Sequence, residues 1–401
     1  MTQAPIARHT PAYRALSLAM LVAGFATFAL LYCTQPLLPR FAAEFGVTPA
    51  AASLAVSLAT GPLAVAILLA AVLADRVGHR RVMTVSLAAA AGLTALTAAA
   101  PELHLLLAMR LLTGVALAGI PAVAMAYIAD EVDAAAIGPA MGLYIAGSAI
   151  GGMVGRLGVA LLTAAFGWRV AIAATGATGI AAALGFAALL PAARGFVPRR
   201  ASLGGWTAGL RRIFADAALP WLYAAAFVLM GVFVTVYNYI GFRLRAVPYD
   251  LGDSAVGAVF LLYIVGSLSS AWVGGIAGRR GRRTVFWMPI VALIAGVALT
   301  AAAPLPVIII GIGVVTAGFF GAHSIASSWV GRRAGGDRAQ AAALYLFFYY
   351  LGSSVLGSAG GVAWSRGGWA GVAGFCGLLG VAALGIALRL VRVPPLPEIA
   401  A

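Results

Sequence analysis

Three side chains stand where an apolar run tolerates them least. Arg110 and Arg156 each interrupt a long nonpolar stretch, and His323 is the one imidazole away from the ends of such a stretch. A guanidinium in hydrocarbon is costly and faces either a partner or a water-filled cavity. If Arg110 and Arg156 share one cavity, they form a site for a carboxylate, a phosphate or a cluster of hydroxyls. The other reading has them donating to helix carbonyls or lying on aromatic faces in a packed interface. His323, with an ordinary titration near pH ~6.5, is a candidate proton carrier; a histidine that only hydrogen-bonds Ser324 or a backbone carbonyl fits the sequence equally well.

Acidic residues complete this picture by their placement. Glu44, Glu102, Asp250 and Asp253 fall beyond one end of the apolar runs and the others fall beyond the opposite end, so no carboxylate is expected at mid-depth. A cationic solute would then meet positive charge without a compensating acid. Tyr32, Gln35, Tyr144, Tyr237, Asn238, Tyr345 and Tyr349 offer hydroxyl and amide contacts suited to a sugar, a polyol or an organic anion. Tyrosines near the ends of spans also serve as interface-belt residues. The chain has no His-Glu-x-x-His, no Gly-rich phosphate loop and no nucleophile elbow, which argues against an enzyme. Cys33 and Cys376 sit in separate apolar runs as packing thiols. No metal and no cofactor is implied.

What must position these groups is a set of membrane helices. Of the 401 residues, 63% are hydrophobic and 9% charged, with a mean hydropathy of +1.02; an aqueous fold of that composition would carry very large apolar patches. A spanning helix needs roughly 20 apolar residues. Twelve such spans are expected, near 14–38, 50–73, 82–100, 103–127, 137–164, 168–190, 218–242, 254–277, 284–303, 305–329, 340–364 and 370–391. Arg110 and Arg156 then lie at similar depth, about 10–12 Å below the same surface.

All 26 basic residues are arginine, and they are unevenly placed. With a cytoplasmic N-terminus, only Arg40, Arg169, Arg243, Arg245 and Arg366 fall outside, while Arg110 and Arg156 are inside spans; the rest face the cytoplasm, as the positive-inside rule requires. The net charge of +15 therefore marks topology and an anionic inner leaflet, and no nucleic acid is called for. Arg8 and His9 precede a first run too long for a cleaved leader, so it reads as a retained helix. Residues 191–217 carry Arg194, Arg199, Arg200, Arg211 and Arg212, with Trp206, Leu210, Ile213 and Phe214 at helical spacing. That pattern predicts an amphipathic helix on the inner leaflet.

The chain also repeats itself. Asp75-Arg76-Val77-Gly78-His79-Arg80-Arg81 follows the second span, and Gly278-Arg279-Arg280-Gly281-Arg282-Arg283 follows the eighth. Leu143-Tyr144, Gly151 and Gly167-Trp168 recur as Leu344-Tyr345, Gly352 and Gly368-Trp369. The organisation is thus an N-terminal six-helix bundle over 1–190, a cytoplasmic linker over 191–217 and a C-terminal six-helix bundle over 218–401. In the first loop Gly78 permits a tight turn. Asp75 can face a helix N-terminus of the other half near Gln340, where the macrodipole favours an anion, and would hold that side shut. Arg80 and Arg81 have Asp130, Glu131 and Asp133 as candidate partners. Arginines that only anchor topology remain the alternative, above all in the second copy, where Gly278 stands for the acid.

Two six-helix halves with the duplicated Asp-Arg-x-Gly-x-Arg-Arg loop resemble the major facilitator superfamily. The resemblance covers essentially the whole chain and implies an all-α membrane protein of two pseudo-symmetric bundles working by alternating access about a midplane site. Asp75, Arg76, Gly78, Arg80 and Arg81 match the family's loop, with Asp130 and Glu131 joined to that gating set. Gly138, Gly147, Gly151, Gly152, Gly155 and Arg156 follow the antiporter glycine pattern, with Gly152 at its proline and Arg156 at its last glycine; such spacing also serves plain helix packing. Pro36-Leu37-Leu38-Pro39 in the first span, and Arg110 with Gly114 and Gly119 in the fourth, are similar to the drug:proton antiporter and arabinose-efflux branch. Tyr237 to Leu244 and Phe319 to Ser324 look like that branch too.

The resemblance sets Arg110 beside His323 as a proton-coupling candidate, and implies a monomer in a bacterial inner membrane with both termini cytoplasmic. Proton-coupled efflux of a small organic solute is the first expectation. Uptake of an organic anion by symport or exchange is the second, and a non-transporting membrane sensor or enzyme the third.

Overall fold

In the computed structural model, residues 5–191 and 203–394 are described; Arg194, Arg199 and Arg200 of the linker lie outside the described residues. Helices dominate, because in lipid a backbone can satisfy its N–H and C=O groups only within its own segment or in a closed barrel. The first helix, α1 (Pro11–Tyr32), starts at Thr10, whose hydroxyl accepts from the Tyr13 N–H at 3.1 Å. A 3₁₀ turn over Gln35–Leu37 breaks the span before α2 (Leu38–Glu44) completes it. The third helix, α3 (Pro49–Val77), is capped in the same way by Thr48. In both helices a proline occupies the first turn, where its missing N–H costs nothing.

The chain continues through α4 (His79–Thr97), α5 (Leu103–Leu117), α6 (Pro121–Glu131), α7 (Ala134–Phe166) and α8 (Trp168–Leu189). After the linker helix α9 (Leu203–Ala215) come α10 (Leu219–Arg245), α11 (Asp253–Ala258), α12 (Tyr263–Arg280), α13 (Arg282–Val285), α14 (Trp287–Thr300), α15 (Leu305–Arg333) and α16 (Arg338–Val391). Among the described residues, ten helical runs are long and apolar enough to cross a membrane. The twelve expected spans are recovered once two helices are read closely. The last run is far longer than a bilayer is thick, and its backbone leaves helical geometry at Gly367 and Gly368, so it folds into two crossings. The short helix α4 opens with His79-Arg80-Arg81, which leaves little apolar length.

Two compact units are formed, and the boundary does not follow the linker alone. Described residues up to 191 pack with 238–261, and residues 203–237 pack with 262–394. In the first unit α1 lies along α7, α3 against α5 and α4 against α8. In the second, α15 is flanked by α12 and α14, and α16 packs on α14. Large apolar side chains such as Leu69, Leu184, Trp272 and Leu378 are more than two-thirds exposed. Patches of that kind mark a surface meant for an apolar partner, and on a spanning helix that partner is lipid.

The duplicated loop is one turn built twice. Gly78 has φ 101° and ψ 135°, and Gly281 has φ 89° and ψ 135°. A side chain at this geometry is strained by about 1–3 kcal/mol. Gly78→Ala and Gly281→Ala are therefore expected to lower the unfolding midpoint of the detergent-solubilised protein by similar amounts; unchanged midpoints would show that the turn relaxes.

Helix α9 turns one of its expected apolar residues inward and leaves two of them exposed. Ile213 is buried while Trp206, Phe214, Arg211 and Arg212 are exposed. Arg212 pairs with Asp337 at 2.8 Å, Arg333 pairs with Asp216 at 2.6 Å, and the Gln340 amide donates to the Trp206 carbonyl.

Candidate functional site

The end of α1 organises both buried arginines. The last carbonyls of a helix lack intrahelical donors and carry its negative pole. Arg110, fully buried on α5, donates from Nη1 to the Leu30 carbonyl at 3.0 Å, from Nη2 to the Leu31 carbonyl, and from Nε to the Ala55 carbonyl at 3.2 Å. The Thr34 hydroxyl donates to the same Ala55 carbonyl. Of the two readings open for Arg110, the structure shows donation to helix carbonyls. Its role here is to hold the break between α1 and α2, and so to set where Gln35 stands.

Arg156, on α7 about 15 Å from the Phe166 end, meets the same break from another side. Its Nε donates to Gln35 Oε1 at 2.6 Å, and Nη1 donates to the Gly152 carbonyl. The guanidinium lies over the Tyr32 ring, 4.2 Å from its centre, and 5.5 Å from that of Phe260. Gln35 then donates from Nε2 to Asn238 Oδ1 at 2.8 Å. Tyr32, Gln35, Arg156 and Asn238 are each at most 3% exposed. Tyr144, buried one turn below Ser148 on α7, backs the α1 contact.

The second unit gathers the other candidates. His323 Nδ1 lies 2.9 Å from the Tyr345 hydroxyl. The imidazole stacks on Phe319 and has the Tyr349 ring at 4.9 Å. Phe319 in turn stacks on Phe233 at 4.0 Å, and Phe233 meets Tyr237 and Tyr263. The Tyr237 hydroxyl is 2.8 Å from that of Thr316. His323 therefore terminates an aromatic cluster running through α10, α12, α15 and α16.

At the arginine-rich end, Asp75 is half-exposed with His79 Nε2 at 3.9 Å, Arg76 occupies the last turn of α3, and Arg80 donates to the Ala187 carbonyl. Among the described residues no ion pair joins Arg80 or Arg81 to Asp130 or Asp133. Glu131 is buried, and its carbonyl accepts from the Ile6 N–H. Gly147, Gly151 and Gly155 line the α1 contact, whereas nothing lies within 4 Å of a side chain built at Gly138.

Sequence reasoning passed over Asp253. Only 8% exposed, it pairs with Arg40 at 2.6 Å and with Arg245. Arg169 likewise pairs with Glu44, which also accepts from the Trp168 indole. The clue was available: arginines on the arginine-poor side run against the topology bias and need a local reason.

With this arrangement established, its likeness to known proteins decides the family. The model of the Major Facilitator Superfamily matches residues 20–355. The chain belongs to the major facilitator superfamily. It is 42% identical over 393 residues to the uncharacterised MFS-type transporter YybF of Bacillus subtilis, covering 98% of this chain and 97% of that one. Identity is also 42% over 387 residues to the inner membrane transport protein YnfM of Escherichia coli, covering 96% and 93%. A chloramphenicol resistance protein of Streptomyces lividans is 30% identical over 271 residues, 66% of each chain. Among solved structures, a bacterial homologue of the lysosomal transporter Spinster superposes with a TM-score of 0.77 at 16% identity, covering 96% of this chain and 98% of that one.

As a superfamily member the protein is a multi-pass membrane transporter for a small molecule and not an enzyme.

Proposed function

We propose that this transporter exports a small organic solute across a bacterial inner membrane in exchange for protons, by alternating access, as a monomer with both termini in the cytoplasm. The observation that carries the coupling is the His323–Tyr345 hydrogen bond inside the aromatic cluster. A neutral imidazole nitrogen can accept from the tyrosine hydroxyl; once Nδ1 is protonated, it can only donate. With the neutral ring in its Nε2–H tautomer, proton uptake reverses that hydrogen bond, and it sets a cation against the rings of Phe319 and Tyr349. A change in charge thereby becomes a change in the contact between α15 and α16. In the same reading Asp75, Arg76, Gly78, Arg80 and Arg81 form the inner gate, with Arg110 as the scaffold of the α1 break.

Export is favoured by the relative named for chloramphenicol resistance and by the glycine seam of α7. Uptake of an organic anion is the second reading, favoured by the buried Arg156. Proteoliposomes holding an imposed pH gradient separate the two. For export, a transported solute should move protons against its own direction, and His323→Ala should cut that movement at least tenfold with the solute site intact. Protons travelling with the solute, or a fully active His323→Ala protein, would overturn the antiport reading.

A further inference from the structure

We infer that the cluster of Arg156, Gln35 and Asn238 receives the anionic head of the transported solute, a carboxylate. This rests on the reading of the chain as a carrier of a small organic solute, and it names that solute's class.

The argument begins with what Arg156 now holds. Its Nε and Nη1 donate to Gln35 Oε1 and to the Gly152 carbonyl, which are neutral acceptors. A carboxylate is a stronger acceptor for a guanidinium than either and matches its planar fork with two parallel bonds. The face of the guanidinium is held by Tyr32, so the plane in which a carboxylate must lie is already set. Gln35 is the natural residue to yield. It stands on the 3₁₀ turn between α1 and α2 rather than within either helix, so its side chain can swing without breaking a helical ladder.

Asn238 supplies the independent observation. Its Oδ1 accepts from Gln35, and this fixes which way the amide faces. Its Nδ2 is buried and has no hydrogen-bond partner among the described residues. Buried side-chain donors are nearly always satisfied, and one left over on an amide that Gln35 links to an arginine is a donor for an acceptor that arrives. A carboxylate oxygen displacing Gln35 from Arg156 would meet that N–H as its second contact. The chemistry selects the ligand class: a cation would stand against the charge of Arg156, and a neutral amide gains only what Gln35 already provides. Of these three, only an anion improves on the resident partner, and a carboxylate does so with the planar pair of acceptors that the fork fits.

The test uses the purified full-length protein in detergent, with benzoate and acetate as probes and benzamide and acetamide as their neutral counterparts. Thermal unfolding is followed against probe concentration. The acids should raise the midpoint at concentrations at least tenfold below those at which the amides act. Arg156→Gln should remove that preference, and Arg156→Lys, which keeps the charge and loses the fork, should retain only part of it. Asn238→Ala, a gentler change, should weaken the acids several-fold and leave the amides unaffected, so the test survives if Arg156→Gln does not fold. Equal action of acids and amides, acid binding undiminished in Arg156→Gln or Asn238→Ala, or no acid-specific stabilisation at all would overturn the inference. Acid binding without counter-moving protons would sink the antiport reading alone; proton exchange with a neutral solute and no acid preference would sink this inference alone.

Discussion

Arg110→Ala is expected to damage the first unit severely, and the damage is to folding before it is to transport. Removing the guanidinium takes donors from the carbonyls of Leu30, Leu31 and Ala55. Ala55 retains the Thr34 hydroxyl, and Leu30 retains the weak Cys33 thiol donor. A buried acceptor left unpaired costs about 1–3 kcal/mol, and loss of the positive charge at the negative end of α1 adds up to ~2 kcal/mol. Unfolding midpoint and monodisperse yield in detergent should both fall sharply. Arg110→Lys should not restore them, because one ammonium cannot serve carbonyls on two helices with fixed fork geometry. A wild-type midpoint in Arg110→Ala would mean that the break in α1 holds itself, through Pro36 and Thr34.

A second large effect is expected at the glycine seams, and it should appear in both units. A side chain at Gly151 would start 2.0 Å from the Phe25 carbonyl oxygen and 2.5 Å from the Phe25 Cα. Gly352, its counterpart in the repeat, would meet the Phe227 carbonyl oxygen at 2.0 Å. These obstacles are backbone atoms and cannot turn aside, so each helix pair must part along its length. Overpacking a core costs typically 1–3 kcal/mol, and more is expected when backbones collide. Gly151→Val and Gly352→Val should each abolish folded yield, whereas Gly138→Ala, with open space around it, should be tolerated. Separation of α1 from α7 would also carry Arg156 away from Tyr32 and Gln35, so any Gly151→Val protein that folds should have lost its acid preference. Full activity in either valine variant would show that these close contacts are dispensable.

Much of this architecture was legible in the residues. Gly78 was legible as a turn and Gly151 as a packing glycine, and both lie in segments that the sequence repeats, at Gly281 and Gly352. The division of α16 at Gly367 and Gly368 was legible too, because Ser365, Arg366 and the two glycines interrupt the apolar run. The partners of the buried polar groups were not legible. Arg110 and Arg156 looked alike by depth and charge, yet one closes a helix end and the other is joined through Gln35 to Asn238. Asp253 looked like a loop residue and proved to be a buried link between Arg40 and Arg245.

The division has a physical cause. Lipid admits a spanning backbone only as helix or closed barrel, so apolar length alone determined that the chain crosses a membrane repeatedly, and the arginine distribution with the duplicated loop determined its two-fold plan. Hydrogen bonds form within a window of a few tenths of an ångström, and whether Gln35 reaches Arg156 depends on the rotation and register of helices that are apolar on every side. Such helices carry no stripe to say which face turns inward. Only the packed structure, through glycine seams and the broken end of α1, decided which polar side chains meet.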